Sequence, residues 1–123
     1  MKARKYTKKQ MELHNKLRKI LADPDKIDIT IWMNFCETVG CIGGWTTKIA
    51  KLKYNAEELI EESCAKALGF SKKTAEKLFY GYAGAYAEPR SSLNWPKKYT
   101  KRLEQGDKSV VLEVFNLAVE GKF

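Results

Sequence analysis

Apolar residues recur at spacings of three and four along most of this chain, and a period-two pattern occurs in one short segment only. Leu13, Leu17, Ile20 and Leu21 form one such stripe, and Ala75, Leu78, Phe79 and Tyr82 form another. Val110, Val111, Val114, Phe115, Ala118 and Val119 form a third. That spacing puts side chains on one face of a helix, so the fold class expected is all-α in the main. The exception is Ile27, Ile29 and Ile31, which alternate with Asp28 and Thr30. It predicts an extended piece near residues 27–31, read either as a short strand or as a loop pinning isoleucines into the core.

Local stop and start signals divide the stripes. Thr7 can cap a helix over about Lys8–Ala22, and Asp23-Pro24 ends it, because proline lacks an N–H and restricts the residue before it. Asn55-Ala56-Glu57-Glu58 reads as a capping sequence with an acidic first turn. Its helix is expected to turn Ala56, Leu59, Ile60, Ser63, Cys64, Ala67 and Leu68 inward and to stop at Gly69. Ser71 can cap the next helix, Pro96 can open another that ends at Gly106, and Asp107 can cap a last one closed by Gly121. The last helix is apolar on most sides and is expected at the centre of the core. Gly40, Gly43 and Gly44 make residues 32–45 ambiguous. They fit either a turn before a helix over Cys41–Lys51, or a helix from Val39 whose glycines admit a close neighbour. The expectation is five or six helices in one compact domain over 1–123, with residues 1–6 a loose arm.

Length and charge narrow the classes further. At 123 residues the chain makes one ordinary domain that needs no covalent staples. Lys and Arg number 23 against 15 Asp and Glu, a net charge of +8. This argues against an acidic interaction protein, and points to nucleic acid, an anionic membrane surface or an acidic protein surface as partner. No apolar run is long enough for a membrane span. Three cysteines, an odd number, argue against a fully paired secreted scaffold, and the basic start leads into no signal-peptide core. A reducing, cytoplasmic setting is expected.

The segment Trp32-x3-Cys36-Glu37-Thr38-Val39-Gly40-Cys41-Ile42-Gly43-Gly44-Trp45 is the most unusual stretch. Small residues with two tryptophan plates suit core packing. Cys41 is the candidate nucleophile if it lies at a helix N-terminus, which favours thiolate. The single imidazole, His14, sits beside Leu13 on the first helix and reads as a surface or boundary residue. Cys36 and Cys41 lie five apart, which misses the usual zinc spacing, although Cys64 and His14 would complete a four-ligand set. A Cys36–Cys41 disulfide is sterically open in a loop. The segment resembles a signature of uncharacterised small proteins of bacteria and phages, with a Trp followed by Cys-Gly-Thr-x-x-Cys-Ile-Ala-Gly-Trp. Cys36, Thr38, Cys41, Ile42, Gly44 and Trp45 match it, while Glu37 and Gly43 replace its Gly and Ala. Leu68-Gly69-Phe70-Ser71 with Leu78-Phe79 is similar to the family's downstream pattern. The resemblance implies an accessory role, such as binding and regulating or inhibiting a host protein, and carries no activity.

Ala65-x-x-Leu68-Gly69-Phe70-Ser71-Lys72-Lys73-Thr74-Ala75-x-x-Leu78 resembles bacterial helix-turn-helix DNA-binding domains over some 15 residues, Phe79 included. Ala75 stands where Val is common, and Leu78 comes one position early. In such an element Gly69 makes the turn, Phe70 packs it and Ser71 caps the second helix. Lys72, Lys73, Thr74 and Lys77 would contact phosphates or a groove, with Lys98 and Arg102 as outer phosphate contacts. Arg90, Lys97, Lys98, Lys101 and Arg102, interleaved with Tyr86, Trp95 and Tyr99, also fit stacking on single-stranded bases. No phosphate-loop, HExxH or paired-carboxylate pattern is present, and no cofactor is implied. The reading is therefore a small basic binding or regulatory protein that contacts DNA or RNA phosphates. The alternative is a phage-type or bacterial accessory protein bound to an acidic protein surface, and a Cys-dependent enzyme comes last.

Overall fold

The computed structural model describes residues 6–27, 42–52, 60–79 and 95–123. These form six α-helices: α1 Lys8–Leu21, α2 Ile42–Ile49, α3 Ile60–Leu68, α4 Lys72–Phe79, α5 Lys97–Glu104 and α6 Ser109–Val119. A 3₁₀ turn at Pro24–Lys26 follows α1. No strand occurs among the described residues, and the fold is a compact all-α one. Of the expected extended piece, Ile27 is extended and buried, and 28–31 lie outside the described residues. So do Cys36, Cys41, the Asn55 cap, Tyr86 and Arg90.

Several helix ends follow from local chemistry. Thr7 accepts the Gln10 N–H at 3.1 Å, and the Gln10 amide oxygen accepts the Thr7 N–H at 2.9 Å, a reciprocal capping box. Ser71 caps α4 by accepting the Thr74 N–H at 3.2 Å. Four helices end in one hydrogen-bond pattern, the Schellman motif, in which a residue of positive φ folds the chain back. In α3 it is Gly69 (φ +78°), in α5 Gly106 (φ +86°), in α6 Gly121 (φ +75°) and in α2 Lys51 (φ +54°). Lys51 is the exception in kind, because that backbone region disfavours a side chain.

Helix α6 holds the centre, as its all-round apolarity predicts. Val110, Val111, Val114, Phe115 and Ala118 are buried, and α1, α4 and α5 pack around it. Helix α2 lies against α1 and α3. Gly43 and Gly44 are buried in α2, and the Cys64 thiol of α3 comes within 3.7 Å of the Gly43 carbonyl. That is the close approach the glycines admit.

Aromatic side chains tie off the helix ends from other elements. Trp95 Nε1 donates to the Leu78 carbonyl at 3.1 Å, and Tyr6 Oη donates to Val119 at 2.7 Å. His14 Nε2 lies 2.8 Å from the Leu68 carbonyl. A carbonyl only accepts, so the proton is on Nε2. Each bond satisfies a carbonyl that a helix C-terminus leaves without a partner. Tyr6 is thus anchored on α6, which corrects its assignment to a loose arm. The remaining arm residues, 1–5, lie outside the described set.

His14 is 1% exposed and fully inside the domain, which corrects the boundary reading. Tyr6 meets its ring edge-on at 4.6 Å, Phe70 stacks at 5.7 Å and Phe115 stands edge-on at 6.0 Å. Burial pushes its pKa below the usual imidazole value, the hydrogen bond to Leu68 opposes that, and nearby Arg18 adds to it.

Candidate binding site

The helix–turn–helix element forms locally much as its residues dictate. The Phe70 N–H bonds to the Ala65 carbonyl at 2.9 Å and the Gly69 N–H to Lys66 at 3.2 Å, closing the turn. Phe70 is buried, and Ala75, Leu78 and Phe79 face the core. Lys73 is exposed. Lys72 is exposed but pairs with Glu62 at 3.4 Å.

Three other residues of the expected footprint make contacts within the domain. Thr74 is 7% exposed, and its hydroxyl accepts from Ser71 Oγ at 3.0 Å. It sits three positions after the cap, so its side chain turns back to the helix start. Lys77 is half-buried, with its ammonium 4.9 Å from the ring centroid of Phe123, the last residue. The carboxyl-terminal end therefore covers that amine.

Arg102 is committed within the fold as well. Its Nε donates to Asp107 at 2.9 Å and its Nη1 to Glu113 at 2.6 Å. The two carboxylates hold its pKa above the usual guanidinium value, Glu113 contributing most. Asp107 in turn accepts from Ser109 Oγ and from the Ser109 N–H at 3.1 Å. The Ser109 hydroxyl first, then Arg102 and the Ser109 N–H, hold its carboxyl below the usual range. Arg102, expected as an outer phosphate contact, joins α5 to α6 through these pairs. Trp95 and Tyr99 are buried, so neither is a platform for a base. Lys98 stays exposed, its amine over the neighbouring Tyr99 ring at 4.9 Å.

A different feature gathers exposed charge. An open groove of about 620 Å³ runs between α1, the end of α2 and α3. It exists because small residues occupy its walls: Ala50 after α2, and Ser63 and Ala67 on α3. Ser63 and Ala67, expected inward, line this groove instead and are half-buried. Leu13, Ile49, Ala50, Leu52 and Ala67 give it an apolar floor. Four lysines stand around it, Lys9 and Lys16 on α1, Lys51 after α2 and Lys66 on α3, all exposed. Glu12 is the one carboxylate among the described residues that line it. Lys9 and Lys16 lie on one face of α1 because their seven-residue spacing is two helical turns. That signal is in the sequence; the arrival of Lys51 and Lys66 beside them is not.

The described residues hold no group of three or more His, Cys, Asp or Glu side chains able to bind a metal. Cys64 is buried, its thiol 3.3 Å from Thr47 Oγ1. Cys41, the candidate nucleophile, lies outside the described residues. No helix among them is long and apolar enough to cross a membrane. Comparison with protein-family models, with curated proteins and with solved structures finds no match. The two resemblances therefore rest on residues 32–45 and 65–79 alone.

Proposed function

We propose that this protein binds an anionic macromolecule, and that the lysine-rimmed groove beside α1 is its contact surface. The observation carrying this reading is the rim: Lys9, Lys16 and Lys51, with Lys66 beside them, stand around an apolar floor, and Glu12 is the one carboxylate among the described lining residues. Like charges held about one groove raise the local concentration of an oppositely charged partner and speed encounter. An accessory protein that docks on an acidic surface of a host factor fits this arrangement. The test is a salt titration with Lys9→Glu/Lys16→Glu beside the native chain, against duplex DNA, single-stranded DNA, RNA and polyglutamate. Binding should weaken with salt for at least one of these polyanions and fall by about tenfold or more in the variant. Equal affinity of variant and native chain for every polyanion refutes the reading.

A second reading keeps nucleic-acid contact at α4. It is supported by the formed Gly69 turn and the exposed amine of Lys73. Its footprint contracts to Lys72, Lys73 and Lys98. Under it, Lys72→Ala/Lys73→Ala weakens duplex binding and lowers the salt slope by about two, whereas the α1 variant leaves both unchanged.

A further inference from the structure

Four helices here end in the same backbone motif, and three of them use glycine at the residue of positive φ. The fourth, α2, uses Lys51 at φ +54°. A lysine there is strained relative to glycine, and no contact of its side chain with a described residue compensates for it. Its side chain is exposed, and its amine makes no hydrogen bond or ion pair with a described residue. Its packing does not account for it, and its position does: it stands at the rim of the α1 groove, facing the same space as Lys9 and Lys16. Strain kept at a site without internal benefit is a signature of a role outside the fold.

The floor argues for the kind of partner. A nucleic-acid backbone is polar along its length and gains little from Leu13, Ile49 and Leu52 beneath the lysines. A helix with one apolar face and acidic flanks uses both: aliphatic side chains reach the floor while carboxylates meet the rim. The stretch of α1 from Lys9 to Lys16 is about 10 Å long, two helical turns, which sets the length engaged. We infer that the groove receives an acidic amphipathic helix of a partner protein and that Lys51 is a specificity-determining contact to its carboxylates. This rests on the groove being the binding surface.

The experiment measures affinity and Tm together. The probes are a labelled peptide with leucines on one helical face and glutamates on the other, a charge-matched peptide of glutamate and glycine, and duplex DNA. The proteins are the native chain, Lys51→Gly, Lys51→Arg and Lys9→Glu/Lys16→Glu. The native chain should prefer the amphipathic peptide. Lys51→Gly should raise Tm by about 2–5 °C as the strain is removed, yet weaken that peptide about fivefold. Lys51→Arg should bind like the native chain. A rise in Tm with unchanged affinity, while Lys9→Glu/Lys16→Glu loses affinity, overturns the role of Lys51 and leaves the groove as the site. Equal affinity for both peptides, or tighter binding of DNA, overturns the choice of partner. Native affinity in every variant overturns the groove reading itself.

Discussion

Replacing Gly69 by alanine separates two costs that usually come together. The first is backbone conformation: at φ +78° a Cβ costs roughly 1–2 kcal/mol. The second is a neighbour. A Cβ at this position would come within 2.7 Å of the Gln10 amide oxygen and 2.9 Å of its nitrogen. The amide is the far end of a flexible side chain, so it can swing away. It then leaves the Thr7 N–H, which it bonds at 2.9 Å, and the Lys66 carbonyl, which it bonds at 3.3 Å. Both bonds are solvent-exposed, so each contributes about 0.5–1 kcal/mol. Gly69→Ala should therefore cost about 2–4 kcal/mol. Gly106 supplies the internal control, having φ +86° and no atom within 4 Å of an added Cβ. Gly106→Ala should cost the conformational part alone, about 1–2 kcal/mol. Urea unfolding followed by circular dichroism measures both. In a Gln10→Ala background the cost of Gly69→Ala should fall to that of Gly106→Ala, since no amide remains to displace. Equal costs for the two glycines in the native background, or an unchanged Gly69 cost without Gln10, refute the argument.

Further predictions follow from the buried polar groups. His14 is the one imidazole in the chain, and its folded pKa lies below 6.5, so the unfolded state binds the extra proton as pH falls. Stability should be at its full value above about pH 6.5 and decline below it until the folded-state pKa is reached. His14→Gln should flatten the unfolding free energy between pH 7 and 5; an equally steep native and variant profile contradicts this. Arg102→Lys cannot serve Asp107 and Glu113 with a planar fork and should lower stability only slightly in urea unfolding, because the pairs are exposed to solvent. Trp95→Phe removes the N–H that bonds the Leu78 carbonyl while keeping most of the ring, and should cost about 1–3 kcal/mol, read by thermal unfolding.

The helices were legible because their signals are local. Thr7, Pro24, Gly69, Ser71, Gly106 and Gly121 each act within five residues of their own position. The place of Thr74 is local too: a hydroxyl three residues after a serine cap can bond to the cap. His14 could have been placed by angle, because it lies three and seven residues before Leu17 and Leu21 on the same buried face. Its partner, Leu68, is 54 residues away and no pattern announces it. Arg102 looked like surface charge because Glu113 lies 11 residues on, across a turn. The groove was hidden for a related reason. Ser63 and Ala67 have the right spacing for an inward face, but small side chains opposite a lysine-bearing helix leave a channel and not a filled core.

The +8 charge divides by what each basic residue holds. Arg18 bonds Asn116 at 2.8 Å across α1 and α6, Lys108 bonds the Ile27 carbonyl at 2.8 Å, and Arg102 joins α5 to α6. Substituting any of these changes the fold's stability before it changes any binding, so a lost affinity there says little about a site. Lys9, Lys16 and Lys51 hold nothing among the described residues, and Lys51 occupies its position at a cost. A charge that neither pairs internally nor relieves strain does not follow from folding. Stability-neutral loss of binding on replacing Lys9 and Lys16, and stability-raising loss on replacing Lys51, are outcomes a purely solubilising charge cannot produce, since such a charge has no position that matters.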